Sequence, residues 1–396
     1  LAAMILLIVL FIFVFLVWLD FYLGKKKYRI SPPITRLHNG DGHFLPTGHQ
    51  FFDALFQDIE KAVHHIHIQF YIFREDHIGK KMTSLLMQKA AEGVSIKLLV
   101  DYIGSFSIDK KTIQRFKKAR IDFAFSNKPG FPFFLYRLNQ RNHRKLTIID
   151  GKIGYLGGFN VGDEYLGRDP DLGDWRDYHM RLEGEVVHAL QKQFLVDWRR
   201  ATKELLHMEA YYPKAEKKEK QFLIQPSDGN GVYSFFLRHI QKAEKSIVIG
   251  SPYFIPGKEI HRALLDAVSR GVQITILVPK KPDHPLVQEA SYPYFKDLLK
   301  AGCSIYQFKQ GFFHAKAFLV DDELCDIGTA NFDLRSFFTN GEINCIFKDH
   351  ELIQTVKQVL ETDFSHSDRL TLEHYNERTF WFKVKECIAT AIAPFL

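Results

Sequence analysis

At 396 residues, with 46% apolar and 25% charged side chains, the chain has a globular balance that excludes wholesale disorder and leaves room for one large domain or two ordinary ones. Its net charge of +7 suits an anionic partner, nucleic acid or anionic membrane, without choosing between them. The four cysteines, Cys303, Cys325, Cys345 and Cys387, show no C-x-x-C spacing, which argues against a zinc site; three of them fall in or beside predicted buried strands, as free thiols.

Residues 1–19 carry no charge and are nearly all aliphatic or aromatic. As a helix they extend about 28 Å, near the hydrocarbon thickness of a bilayer. Trp18 and Tyr22 fall where an interfacial aromatic belt is expected, and Lys25, Lys26 and Lys27 follow at once. The run lacks the basic start and small-residue cleavage site of a secretory signal, so residues 1–23 read as a transmembrane anchor with the rest of the chain on the cytoplasmic side. Residues 24–45, with Pro32, Pro33, Gly40 and Gly42, read as a juxtamembrane linker.

Phe51, Phe52, Leu55, Phe56 and Ile59 have helical spacing. Residues 62–73 read as a buried strand in which His65 and His67 share a face with no carboxylate between them, so no metal is expected there. A helix over 79–92, a strand over 94–101, a helix over 110–120 and a strand over 121–125 follow. Pro129, Gly130 and Pro132 then predict an irregular loop over 127–141 that is nonetheless apolar, with Phe131, Phe133, Phe134, Leu135 and Tyr136. Such a loop either packs on the core or forms a rim that dips into lipid, with Arg137 and Arg141 near headgroups. A hairpin over 143–156, a loop over 157–174, a strand over 175–182 and a long amphipathic helix over 185–207 complete the first half, 46–210.

Residues 211–220 are charged and polar and read as a linker. The second half, 221–396, repeats the first: 243–249 mirrors 62–68 at an offset of 181, and 270–278 mirrors 92–100 at an offset of 178. Strands alternating with helices predict an α/β fold, two tandem sub-domains with mixed, largely parallel sheets and pseudo-two-fold symmetry. Phe380, Trp381, Val384, Ile388 and Ile392, at near-helical spacing, predict a terminal helix packed on the second half.

The repeat also duplicates a motif. His143-Arg144-Lys145-Leu146-Thr147-Ile148-Ile149-Asp150 and His314-Ala315-Lys316-Ala317-Phe318-Leu319-Val320-Asp321 both read H-x-K-x-x-x-x-D, and Asn160 and Asn331 each follow 17 residues after the histidine. On a strand, residues i and i+2 share a face, so His143 projects with Lys145 and His314 with Lys316. Pseudo-symmetry sets the two faces around one cavity. That set suits a phosphodiester: the lysines offset its charge, and Asn160 and Asn331 donate to its non-bridging oxygens. One imidazole attacks phosphorus while the other protonates the leaving alkoxide. These roles need different protonation states, so each histidine needs its own orienting carboxylate. Asp177 and Glu342, each opening a strand after the asparagine loop, are the candidates. Asp150 and Asp321 complete the motifs; at strand ends, they are expected to fix local structure. No metal or other cofactor is called for, because lysines and histidines supply the electrostatics.

The paired motifs resemble the signature of the phospholipase D superfamily, H-x-K-x-x-x-x-D with a downstream G-x-x-N, here Gly157-Gly158-Phe159-Asn160 and Gly328-Thr329-Ala330-Asn331. The second copy is the fuller match, running on to Ser336 and Asn340-Gly341-Glu342. Within the superfamily the chain is similar to bacterial cardiolipin synthases. The residues that carry this are the anchor, Tyr71-Ile72-Phe73, Asn142-His143-Arg144-Lys145, Asp174-Trp175-Arg176-Asp177, Ser251-Pro252-Tyr253-Phe254-Ile255-Pro256 and the terminal Ile392-Ala393-Pro394-Phe395-Leu396.

The resemblance implies a phosphatidyltransferase of the bacterial cell membrane whose partners are phosphatidylglycerol and anionic membrane lipid. Two phosphatidylglycerols give cardiolipin and glycerol through a phosphatidyl-histidine intermediate. His143, Lys145, Asp150, His314, Lys316 and Asp321 are the catalytic motif residues, with His143 as nucleophile and His314 as acid and base. One apolar helix precedes the catalytic region, where many of these synthases carry two. That departure leaves room for a membrane-anchored hydrolase, with water as acceptor, or for a different acceptor alcohol. A nuclease is the third reading; the anchor, the apolar loop and the lack of a basic-aromatic motif weigh against nucleic acid.

Overall fold

The apolar run forms one helix, Ala2–Lys27, long and apolar enough to cross a membrane and exposed over residues 2–16. This computed structural model describes residues 2–28, 35–206 and 209–393. The anchor meets the body around Tyr136. Asp20 Oδ2 accepts from the Tyr136 N–H at 2.8 Å, and the Tyr136 ring stacks on Tyr28. The same ring covers Gly24, where a Cβ would sit 2.5 Å from Tyr136 Cγ.

The first half contributes strands β1 (Leu37–Leu45), β2 (His65–Phe70), β3 (Ser95–Asp101), β4 (Ile121–Ser126), β5 (Leu146–Ile149), β6 (Ile153–Gly157), β7 (Trp175–Arg176) and β8 (His179–Glu183). The second contributes β9 (Lys220–Asp228), β10 (Ser246–Gly250), β11 (Gln273–Pro279), β12 (Ser304–Phe308), β13 (Phe312–Phe313), β14 (Ala317–Val320), β15 (Leu324–Gly328), β16 (Gly341–Phe347) and β17 (Ser367–Leu370). All but β7 and β13 lie in one 15-stranded sheet. Outward from its centre the order is β1-β8-β6-β5-β2-β3-β4 on one side and β9-β16-β15-β14-β10-β11-β12 on the other, with β17 at the far edge. The outer strands β2-β3-β4 and β10-β11-β12 run parallel, and the inner ones antiparallel.

The repeat is therefore realised as two α/β halves sharing one sheet, with the pseudo-two-fold between β1 and β9. These pair antiparallel, Leu37 opposite Leu223 and Gly40 opposite Lys220. Strand β1 occupies residues that composition assigned to the linker. Asn39-Gly40-Asp41-Gly42 carries no apolar alternation, which hid it. Its glycines are needed for close approach: a Cβ on Gly40 would lie 2.5 Å from Val186 Cγ1, and one on Gly42 3.0 Å from Phe222 Cζ.

Helices Val186–Thr202 and His350–Ser365 cover the seam. Leu190, Phe194 and Val356 on these helices join Leu146, Met180, Ile343 and Phe347 on the strands in one buried cluster that spans both halves. Each such large apolar side chain contributes roughly 1.5–3 kcal/mol on burial. Separate clusters on the opposite face serve each half alone, around Phe51, Ile68 and Leu86 in the first and Phe236, Ile249 and Leu264 in the second.

Several local expectations change. The predicted irregular loop contains a short helix, Phe134–Asn139, because its prolines precede that helix and do not interrupt it. Arg141, which the lipid-rim reading of this loop put near headgroups, is buried and donates to Asp101 Oδ1 at 3.0 Å, whereas Phe131 is 86% exposed. The strand expected over 175–182 is interrupted after Arg176, giving β7 and β8. Cys303, Cys325 and Cys345 are buried free thiols, and Cys387 is exposed. The terminal helix Phe380–Ile392 packs on helix Val287–Ala301, Phe382 meeting Tyr292 edge-on, and leaves Trp381 exposed.

Candidate active site

His143 and Lys145 lie just ahead of β5, and His314 and Lys316 just ahead of β14, in extended chain and not within the strands as expected. Two short parallel pairings between the halves seat them. Asn142 bridges to Gly341, and the His143 N–H donates to the Gly341 carbonyl at 2.8 Å. Strand β7 pairs with β13, and the His314 N–H donates to the Arg176 carbonyl at 2.7 Å. Each pairing brings the first residue beyond it to the histidine of the other half. Glu342 thus reaches His143 Nδ1 at 2.9 and 3.2 Å, and Asp177 reaches His314 Nδ1 at 2.6 Å.

Both carboxylates are fully buried and held by further donors. Thr329 Oγ1 donates to Glu342 at 2.6 Å and Ser336 Oγ at 3.0 Å. The Tyr178 N–H donates to Asp177 Oδ1 at 2.8 Å, and Lys316 Nζ stands 3.6 Å from its other oxygen. Burial raises the pKa of Glu342, but His143, Lys145 and the Thr329 hydroxyl outweigh it and hold the carboxyl below its usual value. The same balance, with Lys316 and His314 as the cations, lowers Asp177. Gly158 is the space for that carboxylate, since a Cβ there would lie 1.9 Å from Asp177 Oδ1. Sequence reasoning did not single out Thr329 or Ser336. Their position inside the longer second motif was the available signal.

The two histidines open on one cavity of about 260 Å³, whose wall also includes Asn160, Asn331, Tyr71 and Trp175. The Tyr71 ring meets His143 edge-on at 5.1 Å between centroids, and Trp175 lies 4.9 Å from His314. Burial lowers His143 to about 4, with Lys145 adding to the effect and Glu342 opposing it. Burial and Lys316 lower His314 to about 4 against the pull of Asp177.

Lys145 and Lys316 sit behind the histidines and not on the cavity wall. Lys145 Nζ donates to the His143 carbonyl at 2.9 Å and lies 5.6 Å from the Tyr71 ring centroid. Lys316 Nζ contacts the His314 carbonyl and stands 2.6 Å from His314 Nδ1. Burial lowers both ammonium groups, and Glu342 and Asp177 restrain the shift.

Asn160 and Asn331 line the cavity with part of each amide already engaged. Asn160 accepts from the Ile72 N–H at 3.1 Å and donates to Tyr165 Oη at 3.0 Å; Asn331 Nδ2 donates to Asp333 Oδ2 at 3.2 Å. One amide proton of each remains for a ligand. Asp150 and Asp321, grouped with the catalytic motif residues, are not in the cavity. Asp150 has φ 54° and accepts from the N–H groups of Val63, His64 and His65 at 2.8–2.9 Å. Asp321, with φ 55°, does the same for Glu244, Lys245 and Ser246 at 2.7–3.2 Å. Each ties its motif strand to the neighbouring one.

Arg144, between the motif histidine and lysine, faces away from the cavity. It pairs with Asp197 at 2.9 and 3.1 Å and with Asp228 at 2.6 Å, and donates to the Glu342 carbonyl at 3.0 Å. It locks the two halves together behind the site. Among the described residues, no three His, Cys, Asp or Glu side chains group as metal ligands.

The family described as cardiolipin synthase, PLD-like domain matches residues 55–198 and 236–364. The chain is 39% identical over 394 residues to the minor cardiolipin synthase ClsB of Bacillus subtilis (strain 168), covering 99% of each chain. It is 41% identical over 361 residues to the major cardiolipin synthase ClsA of the same organism, covering 89% of this chain and 74% of that one. Among solved structures, the phosphatidylserine synthase of Haemophilus influenzae Rd KW20 shares the fold, with a TM-score of 0.71 over 94% of this chain and 99% of that one at 14% identity. With both halves matched and the likeness running almost end to end, the chain belongs to the phospholipase D-like cardiolipin synthases and is an enzyme of that family.

Proposed function

We propose that the chain joins two phosphatidylglycerols into cardiolipin, with release of glycerol, through a phosphatidyl-histidine intermediate on His143. The observation that carries this reading is the pair of imidazoles on one cavity, each held through Nδ1 by a carboxylate of the opposite half. Holding Nδ1 leaves Nε2 of His143 as the nitrogen available to phosphorus, and a lowered pKa keeps it unprotonated at neutral pH.

In the first step Nε2 of His143 attacks phosphorus, the bond to the headgroup glycerol oxygen breaks, and His314 gives its proton to that oxygen. In the second, His314 takes the proton from a headgroup hydroxyl of the other phosphatidylglycerol. The freed oxygen attacks phosphorus, and the P–N bond breaks. The entering phosphodiester adds its negative charge to that of Glu342 and Asp177 and so favours the charged form of the buried Lys145 and Lys316. It also raises the basicity of His314, whose imidazolium Asp177 stabilises. Asn160 and Asn331 donate their remaining amide protons to the non-bridging oxygens. By the positive-inside rule, Lys25, Lys26 and Lys27 at the end of the anchor support a cytoplasmic position for the catalytic halves.

The test is the purified full chain in phosphatidylglycerol vesicles. Cardiolipin and glycerol in equal amounts are expected. Phosphatidic acid and glycerol would make water the acceptor and the chain a hydrolase. His143→Ala is expected to abolish a covalent phosphatidyl adduct. Its survival there, with loss in His314→Ala, would reverse the two roles.

A further inference from the structure

A second cavity, of about 520 Å³, backs on to the Asn142–Gly341 crossing and shares no wall residue with the catalytic cavity. Its wall carries six cations, Lys27, Lys128, Arg137, Arg144, Arg200 and Lys203, against two carboxylates, Asp197 and Asp228. Those carboxylates are already taken: Arg144 pairs with both, and Arg200 pairs with Asp228 at 2.9 Å. Among the described residues, Arg137 donates only to the carbonyls of Lys128, at 2.9 Å, and Phe131, at 3.4 Å; Lys203 donates to the Arg200 carbonyl at 3.1 Å. Among the described residues, Lys27, Lys128, Arg137 and Lys203 have no carboxylate within ion-pair distance. Four uncompensated cations around a cavity of ligand size form a site for an anion.

The position of the cavity narrows the anion. Lys27 and Tyr28 end the membrane anchor, so the mouth lies at headgroup depth. Arg137 lies 5.9 Å over the Tyr28 ring, and the exposed Phe131 ring stacks on Phe134 beside it. Ser126, Asn127 and Gln140 supply neutral polar groups to the same wall. We infer that this cavity holds the phosphate headgroup of an anionic phospholipid at a site separate from the catalytic cavity. The two share one link, since Arg144 also holds the Glu342 carbonyl at 3.0 Å. The inference does not depend on which histidine attacks phosphorus.

Lys128 and Lys203 are both exposed, so reversing them leaves the core intact. Native mass spectrometry of the full chain in detergent, on a His143→Ala background that holds turnover off, counts bound phosphatidylglycerol with and without K128E/K203E. One retained phosphatidylglycerol is expected to be lost in the double variant. Its affinity should fall on the order of 25-fold or more, about five-fold for each lysine removed. Phosphatidylcholine should not occupy the site in either protein. Equal phosphatidylglycerol counts and affinities in the two proteins would overturn the inference. So would displacement of that lipid by millimolar inorganic phosphate, which would make free phosphate the ligand. Lys27→Glu, on the anchor side of the mouth, gives an independent variant with the same expected loss. Turnover of phosphatidylglycerol by wild type, measured in parallel, separates a failure here from a failure of the transferase reading.

Discussion

Replacing Glu342 by glutamine keeps the shape of the side chain and removes its charge. Thr329 and Ser336 can turn their hydroxyls to accept from the new amide, so the fold should persist. What is lost is the carboxylate 2.9 Å from His143 Nδ1. A hydrogen bond to a charged group is worth about 1.5–3 kcal/mol. A unit charge at about 4 Å with an effective dielectric of 20 gives roughly 4 kcal/mol. The two figures describe the same interaction and bound the loss at about 1.5–4 kcal/mol, a fall of roughly 10- to 1,000-fold in kcat. Steady-state conversion of phosphatidylglycerol reads it, with kcat falling and KM little changed. A second readout separates this role from a purely structural one. Glu342 raises the pKa of His143, so its removal should move the acid limb of the kcat profile to lower pH. A change in kcat under ten-fold, or an acid limb that moves upward, would refute the pairing argument.

Asp150→Ala removes the acceptor of three backbone N–H groups, so stability should fall by about 2–3 kcal/mol while turnover per folded molecule is retained; loss of activity at unchanged melting temperature would contradict its scaffold role. Arg144→Ala leaves the buried Asp197 and half-buried Asp228 with only the partly exposed Arg200 as a cation among the described residues, so denaturant titration should register a loss of up to about 3 kcal/mol. Gly24→Val drives a side chain into Tyr136, where even a Cβ would lie 2.5 Å from Cγ, and should release the anchor from helix Phe134–Asn139. Activity on vesicles should then drop while that on short-chain soluble phosphatidylglycerol does not; equal losses on both would argue against a docking role. His65, His143 and His314 are lowered to about 4, and His179 to about 3, from 6.5. The unfolded chain therefore binds more protons below pH 6.5, and stability should decline from there toward pH 4, by up to about 1.4 kcal/mol per pH unit for each histidine. Asp177 and Glu342, whose folded pKa values are depressed, add their loss only below about pH 4. A melting temperature flat between pH 7 and 5 would contradict this.

Features written in local order were open to reading from residues alone. The uncharged run before Trp18 can only be stable where apolar surface is covered, and the duplicated H-x-K-x-x-x-x-D and alternating strands announce an α/β repeat whatever the packing. Strand β1 was not legible, because its polar and glycine-rich residues are chosen for close passage under Val186 and Phe222 and not for an apolar face. Asp177 and Glu342 could be named as orienting carboxylates from their place after each asparagine loop. Which imidazole each would hold could not. Glu342 stands 199 residues from His143, and Asp177 stands 137 residues from His314. The exchange arises from two short parallel pairings between the halves, contacts with no local sequence pattern of their own. The strand-end place of Asp150 and Asp321 followed from spacing, but the backbone N–H groups they hold, and the place of Lys145 and Lys316 behind the imidazoles, were likewise decided by tertiary structure. Spacing along a strand specifies a common face, but only the neighbouring strand determines whether that face meets a cavity or a row of backbone N–H groups.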